Sequence, residues 1–280
     1  MPTTTRNIQQ LTTNAVKLGL LPAPSSVTVL KVGGARLASI ADLDLLVDHV
    51  LELRRRGRRT VIVHGGGPEI SDLHGRLEIP VEKVDGLRKT SDEGMDATAM
   101  VLCGTVRTRI VERFAARGLD CLGVSGVDLG LLRAPFVDKP LLGRVGGPPS
   151  VDRRRLEKLL ELDVTLVVSP ISIGPDGAIV NVNADDAAHA IAIALKAASL
   201  DFVSDIPGVL ISDDEVATRL DPAAVSDLIS DSTVTGGMVP KLNAAVAAVS
   251  AGVDRVRIGN LATMAAGSAT VIAANGRAAS

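Results

Sequence analysis

The stretch Val27-Thr28-Val29-Leu30-Lys31-Val32-Gly33-Gly34 decides the fold, because a run of branched apolar residues passes directly into a pair of glycines. A second stretch, Val61-Ile62-Val63-His64-Gly65-Gly66-Gly67-Pro68, repeats the arrangement. Apolar runs of this kind are typical of buried strands in parallel sheets, so each glycine cluster is expected at the carboxyl end of a strand, where α/β proteins bind ligands. Glycines there let backbone N–H groups approach an anion. The first corner (33–34) and the second corner (65–67) therefore predict a phosphate site beside Lys31.

Either corner alone is also compatible with an ordinary tight turn between a strand and a helix. The chain contains neither the P-loop pattern Gly-x-x-x-x-Gly-Lys-Ser/Thr nor the dinucleotide pattern Gly-x-Gly-x-x-Gly. A phosphate site at these corners therefore requires some other phosphate-binding fold.

Strand-like and helix-like segments alternate along the chain, which is typical of a mostly parallel sheet with helices on both faces. Residues 125–150 are rich in Gly and Pro and predict hairpins that lie over the sheet. The predicted fold class is α/β. Beyond the first two strands, we predict strands near residues 119–124, 164–169, 199–204 and 254–258, and helices near residues 92–117, 152–162, 185–197, 222–230 and 238–251.

Composition excludes several classes of function. The 280 residues carry a net charge of −2 and contain three Phe but no Tyr or Trp, so the chain has neither the basic field nor the stacking platform of a nucleic-acid-binding protein. The first residues lack a signal-peptide pattern, and no apolar run is long enough to span a bilayer, so we expect a cytoplasmic protein without membrane contact. Cys103 and Cys121 are expected to be reduced, and no metal-ligand spacing occurs, so any metal should arrive with a nucleotide, as Mg²⁺ does.

Three further segments carry chemistry. Residues 85–90, Asp-Gly-Leu-Arg-Lys-Thr, place the Arg88 guanidinium in a turn suited to binding a carboxylate in a bidentate manner. Residues 181–185, Asn-Val-Asn-Ala-Asp, precede a predicted helix and either cap it or face a ligand. Residues 235–241, Thr-Gly-Gly-Met-Val-Pro-Lys, open another helix with a glycine pair and an isolated lysine.

Six motifs in this order, Lys-x-Gly-Gly, His-Gly-Gly-Gly-Pro, Gly-Leu-Arg-x-Thr, Asn-x-Asn-Ala-Asp, Ser-Asp-x-Pro-Gly-Val and Gly-Gly-Met-x-Pro-Lys, resemble the amino-acid kinase superfamily and, within it, the N-acetylglutamate kinases. The resemblance runs from Val27 to Ile272. It implies an open α/β/α sandwich of two lobes, with residues 27–196 for the amino-acid substrate and 197–280 for the nucleotide, after an extension over residues 1–26. The implied reaction is ATP-dependent phosphorylation of the γ-carboxylate of N-acetyl-L-glutamate in arginine biosynthesis. Mg²⁺ would arrive with ATP, and the assembly would be a homodimer or homohexamer.

The resemblance also implies roles for single residues. Lys31 and Lys241 would neutralise the phosphoryl group in transfer, with Asp185 holding both lysines. Substrate binding is implied for Gly66, Gly67, Arg88 and Asn181. Nucleotide binding is implied for Gly33, Gly34, Ser204, Asp205, Gly208, Gly236 and Gly237.

Two departures from the family pattern and three other functions remain open. Val127 stands where many relatives have lysine, and the C-terminal segment from Ile258 to Ile272 is short for the family. The alternatives are a kinase of aminoadipate linked to an acidic carrier protein, a non-catalytic amino-acid-binding regulator, and a nicotinamide-dependent dehydrogenase. In residues 1–26, apolar residues at spacings of three and four predict a short amphipathic helix.

Overall fold

The computed structural model describes residues 26–84, 87–212 and 215–274. The predicted N-terminal helix and Asp85-Gly86 lie outside the described residues. The strands are β1 Val27–Val32, β2 Arg59–His64, β3 Lys83–Val84, β4 Leu87–Arg88, β5 Cys121–Ser125, β6 Leu132–Arg133, β7 Val145–Gly146, β8 Ser150–Val151, β9 Thr165–Ser169, β10 Ile171–Ile173, β11 Ile179–Val182, β12 Ser199–Val203, β13 Arg219–Leu220, β14 Val256–Gly259 and β15 Thr270–Ile272.

The helices account for most of the remaining chain. They are α1 Ile40–Arg55, α2 Gly67–Arg76, α3 Asp92–Ala99, α4 Arg107–Ala116, α5 Lys139–Leu142, α6 Arg153–Leu160, α7 Ala184–Leu195, α8 Pro222–Ser230, α9 Met238–Ser250 and α10 Leu261–Ala266. A π-helical segment, Met100–Val106, joins α3 to α4. In the described ranges, no helix has both the length and the apolar character needed to cross a bilayer.

The main sheet has eight strands in the order β13-β15-β14-β12-β1-β2-β9-β5, and all neighbours are parallel except β14 and β15. Strand β1 lies near the middle and pairs with β2 on one side and β12 on the other. The chain leaves β1 toward β2 and later returns to its opposite side, so the strand order reverses at β1. Ligands of open α/β sheets bind at such a reversal, beyond the carboxyl ends of the strands.

Two apolar layers cover the two faces of this sheet. Alternate residues of one strand face opposite layers, so Val29 packs with the α7 and α9 layer while Leu30 packs with the α1, α3 and α4 layer. All of these strand positions are buried because both faces are covered, which explains the continuous apolar runs of the sequence.

A second sheet has five short strands in the order β7-β11-β10-β6-β8. Strands β6 and β7 come from residues 125–150, the segment that the sequence predicts to form hairpins over the main sheet. The strands of the second sheet have two to four residues each. The predicted strands and helices of the main layers are confirmed, and the helix predicted over residues 92–117 is continuous but contains the π-helical segment. The α/β fold class is confirmed.

Candidate active site

The two glycine corners are in direct contact at the carboxyl edge of the main sheet. A Cβ atom added to Gly34 would lie 2.8 Å from Gly66 Cα and 3.0 Å from Gly67 N, so any other residue at 34 would force the corners apart. The Gly65 N–H donates to Val32 O at 3.0 Å, which extends the pairing of β1 with β2 into the corner. No atom lies within 4 Å of a Cβ built on Gly33 or Gly67, so the corners face open space on that side.

Lys31 and Asp185 form an ion pair beside the corners. Lys31 Nζ lies 2.8 Å from Asp185 Oδ1, and the two side chains are 16% and 28% exposed. Asp185 is in the first turn of α7, where Asn183 caps the helix by accepting the Asp185 N–H at 2.9 Å. The first half of the predicted role of Asp185, to hold Lys31, is therefore present in the structure.

Lys241 reaches the same edge of the sheet from another helix. Helices α7 and α9 each precede a parallel strand of the main sheet and pack together on one face, so the amino ends of both helices lie at the carboxyl edge of the sheet. Lys241 is the fourth residue of α9, behind Gly236, which has φ +61°, and Gly237. Within the described ranges, no carboxylate lies within 4.0 Å of its Nζ, so contact of Lys241 with Asp185 stays a prediction.

In the described residues, one terminal nitrogen of the Arg88 guanidinium is hydrogen-bonded and the other is not. Its Nη2 donates to Ser71 Oγ at 2.7 Å and lies 3.5 Å from Gly67 O, which places the side chain against the second corner. Its Nη1 is buried and has no hydrogen-bond partner in the described structure. Burial lowers the pKa of Arg88 from its ordinary value. A buried, unpartnered donor on a cation is the arrangement that an acidic ligand would complete.

The two asparagines of the 181–185 segment differ in position. Asn183 is the helix cap, whereas Asn181 lies in β11 of the second sheet and donates its backbone N–H to Arg144 O at 2.8 Å. Asn183 therefore caps the helix, and a ligand contact of the Asn181 side chain stays a prediction.

The loop after β12 begins level with the two corners, because Val32 pairs with both His64 and Val203. Ser204 donates its backbone N–H to Gly259 O at 2.8 Å. The Asp205 carboxylate accepts from Arg36 Nε at 2.5 Å, which ties this loop to the segment after the first corner.

Gly208, unlike Gly33, Gly236 and Gly237, lies where a side chain would collide with its surroundings. It is buried, and a Cβ atom there would collide with side-chain atoms of Val216 and Thr270. The structure thus shows a packing reason for glycine at this position. A contact of Gly208 with the nucleotide stays a prediction.

Several residues that support the corners were missed in the sequence. Arg109 Nη1 donates to Leu37 O at 3.0 Å and to Glu69 Oε1 at 3.1 Å, and so links the segments after the two corners. Ser71 positions Arg88, and the buried His64 beneath the second corner contacts Ser169 Oγ at 2.9 Å. His64 stands inside a recognised motif, which is a signal that could have singled it out. Arg109 lies in an ordinary helical sequence with no such signal.

Comparison with known proteins decides the family. The family model for the amino acid kinase family matches residues 26–260. The chain belongs to this family. It is similar to the acetylglutamate kinases of Chloroflexus aurantiacus (45% identity, covering 85% of this chain and 93% of that protein) and Geobacillus kaustophilus (41% identity, covering 82% and 88%). Among solved structures, smu.665 from Streptococcus mutans superposes with a TM-score of 0.77 at 30% identity, covering 89% of this chain and 99% of that one.

Proposed function

We propose that this amino acid kinase family member transfers the γ-phosphoryl group of ATP to the γ-carboxylate of N-acetyl-L-glutamate, a step of arginine biosynthesis. The observation that carries the proposal is the contact between the two glycine corners beside Lys31. Arg88 lies against the second corner, and its buried Nη1 has no hydrogen-bond partner among the described residues. The chain's similarity over most of its length to acetylglutamate kinases supports the choice of substrate.

The reaction needs alignment and positive charge. A substrate carboxylate oxygen attacks the γ-phosphorus, the bond from that phosphorus to the β–γ bridging oxygen breaks, and the products are an acyl phosphate and ADP. Backbone N–H groups of Gly33, Gly34, Gly66 and Gly67 would donate to phosphoryl oxygens, and the amino ends of nearby helices would add favourable dipoles. Because a carboxylate is already a nucleophile, no side chain of the protein has to act as a general base.

The two lysines neutralise the charge that builds up during transfer. Lys31, fixed by Asp185, would contact the transferred group, and Lys241 would approach it from α9 on the nucleotide side. Gly236 and Gly237 would border the ATP phosphates, while Ser204, Asp205 and Gly208 would border the remainder of the nucleotide. On this assignment residues 27–196 and 197–280 form the substrate and nucleotide lobes.

Magnesium enters the proposal with its nucleotide. In the part of the chain that the structure describes, no group of three or more His, Cys, Asp or Glu side chains is placed to hold a metal ion. Mg²⁺ commonly takes most of its ligands from phosphate oxygens and water, so it can enter the site bound to ATP without a dedicated set of protein ligands. The ion would supply positive charge to the phosphate oxygens.

The charges near Arg88 favour a free amino acid over a carrier-linked substrate. Lys89 is paired with Glu82 at 2.9 Å, Lys139 with Asp176 at 2.8 Å, and Arg144 with the same Asp176 at 2.7 Å. Each of these three cations has an acidic neighbour, which leaves less positive charge at this edge of the described structure to attract an acidic carrier protein. Arg88 would bind the α-carboxylate of N-acetylglutamate, and Asn181, Gly66 and Gly67 would contact its remaining polar atoms.

A hydroxylamine-trapping assay tests the proposal, because acyl phosphates form stable hydroxamates. The purified protein with MgATP should give hydroxamate from N-acetyl-L-glutamate and little from glutamate, aspartate or N-acetyl-aspartate. The Lys31→Met variant provides the matched control for contaminating kinases. Product from carrier-linked aminoadipate and none from N-acetyl-L-glutamate would replace the proposal with the carrier-dependent reaction.

A further inference from the structure

A buried histidine lies directly beneath the second glycine corner and contacts its backbone. His64 is the last residue of β2 and is 0% exposed. Its Nδ1 lies 3.1 Å from Gly65 O, and its Nε2 lies 2.9 Å from Ser169 Oγ. Ser169 is the last residue of β9, and its Oγ also lies 3.0 Å from Leu102 O in the π-helical segment.

The partners of the ring determine which nitrogen carries the proton. A neutral imidazole has one N–H and one lone pair, and a carbonyl oxygen can only accept. We assign the hydrogen to Nδ1, because in the other tautomer the Nδ1 lone pair would face Gly65 O at 3.1 Å. In this assignment Nε2 accepts from the Ser169 hydroxyl, whose single hydrogen is shared with Leu102 O. Burial lowers the pKa of His64 to about 4, so the ring is neutral at neutral pH.

Fixing the Gly65 carbonyl also fixes an N–H donor of the corner. The peptide unit is planar and trans, so the C=O of Gly65 and the N–H of Gly66 point in opposite directions. Glycine has little steric preference of its own, and a peptide between two glycines can rotate easily into another orientation. The hydrogen bond from His64 opposes that rotation, and Gly66 N lies only 2.9 Å from a Cβ built on Gly34, at the junction of the corners.

We propose that His64 is a positioning residue for phosphoryl transfer, and that its Nδ1–H, by holding the Gly65 carbonyl, keeps the Gly66 N–H directed for donation to the phosphoryl group. This deepens the proposed function and rests on it for the identity of the reaction. The contribution is orientation, because His64 is buried below the corner and touches no ligand itself.

Two conservative variants separate this role from packing. The amide nitrogen of asparagine occupies about the place of Nδ1, whereas that of glutamine occupies about the place of Nε2. His64→Asn should therefore retain the donor to Gly65 O and keep kcat within about fivefold of the wild type. His64→Gln should lose it, and kcat should fall by about 10²-fold, the scale of losing one preorganised donor. KM for ATP should change less than kcat, because the effect is on the transition state.

His49→Gln is the matched control. His49 is also buried, at 6% exposed, but it lies in α1, and within the described structure it makes no hydrogen bond to either corner. Its substitution should leave kcat unchanged even where it lowers the urea midpoint. Equal kcat values for His64→Asn and His64→Gln at matched stability would overturn the proposal, as would a fall in kcat for His49→Gln of the same size.

A spectroscopic measurement on the wild type needs neither substrate nor variant. The chain has four histidines, so ¹⁵N-labelled histidine gives few ring signals. The signal assigned through His64→Asn should show a protonated Nδ1 and an unprotonated Nε2 at pH 7. A protonated Nε2 would overturn the inference. Absence of acetylglutamate phosphorylation would instead overturn the proposed function and leave the tautomer result standing.

Discussion

Replacement of Arg88 by lysine tests the assignment of the substrate carboxylate. The variant keeps the charge but loses the planar fork, in which Nη2 is held by Ser71 at 2.7 Å and Nη1 is buried with no partner among the described residues. A ligand carboxylate on Nη1 would form a charge-assisted hydrogen bond, whose loss costs about 1.5–3 kcal/mol. At about 1.4 kcal/mol per tenfold change, KM for N-acetyl-L-glutamate should rise by roughly 10- to 150-fold.

Hydroxamate trapping with each substrate varied in turn measures the effect on both KM values. KM for ATP should change by less than about threefold, because Arg88 is assigned to the other ligand. Ser71→Ala should shift the same KM in the same direction by a smaller factor, since it removes only the support of the fork. Arg144→Lys is the matched control, as Arg144 is already paired with Asp92 and Asp176. An equal rise in both KM values, or the same rise in the Arg144 control, would refute the reasoning.

Three further predictions address catalysis, geometry and stability. Lys241→Ala should lower kcat by roughly 10²–10³ with the fold retained, as expected for one lost preorganised donor, and a near-normal kcat in the trapping assay would remove it from the mechanism. Arg109→Met should lower kcat by about tenfold to a hundredfold through misplaced corners. Arg113→Met, which breaks an ion pair with Asp44 in the same helix layer, should leave kcat unchanged, and equal losses in the two variants would show a general packing effect. For pH, His64 has a pKa of about 4 when folded against 6.5 in the unfolded chain, so between these values only the unfolded chain binds the proton. Stability should fall as the pH drops from 6.5 to 4, by about 3 kcal/mol at 1.36 kcal/mol per pKa unit. Urea unfolding should show a steeper fall in the wild type than in His64→Asn, because His49 and His189, whose pKa values burial also lowers, contribute equally to both proteins. Parallel pH profiles would contradict the prediction.

The parts of the fold that follow from local sequence are the strands and helices of the main sheet. Val27–Val32 and Arg59–His64 are apolar enough to be recognised as strands buried on both faces, and the glycines that follow mark their ends. The location of both corners at one edge then follows from the parallel arrangement, because parallel strands end on the same side. The direct contact of Gly34 with Gly66 could not be predicted from the sequence pattern, because it depends on which strands are neighbours in the sheet.

The second sheet and the π-helical segment left little trace in the sequence. A strand of two to four residues is too short to show a clear alternation of apolar and polar side chains. The sequence therefore does not distinguish β6, β7 and β8 from the ends of hairpins. Met100–Val106 has the apolar spacing of an ordinary helix, so its wider hydrogen-bonded turns leave no local sequence signal. A Cβ on Gly66 would lie 2.7 Å from Leu102 Cδ2, which shows how closely this segment packs against the second corner.

The pairing of Lys31 with Asp185 shows why the site's residues had to come from the family resemblance. The two residues are far apart in the chain, and neither stretch by itself predicts the other. The ion pair holds Lys31, whose side chain is only 16% exposed, in position before the substrates bind. Asp185 supplies the counter-charge while the site is empty, and phosphoryl oxygens can then share Lys31 Nζ, which has three donors. Asp185→Asn should therefore reduce catalysis mainly by loosening Lys31, and the Lys31→Met,Asp185→Asn double variant should be no slower than Lys31→Met alone, because the carboxylate acts through the lysine.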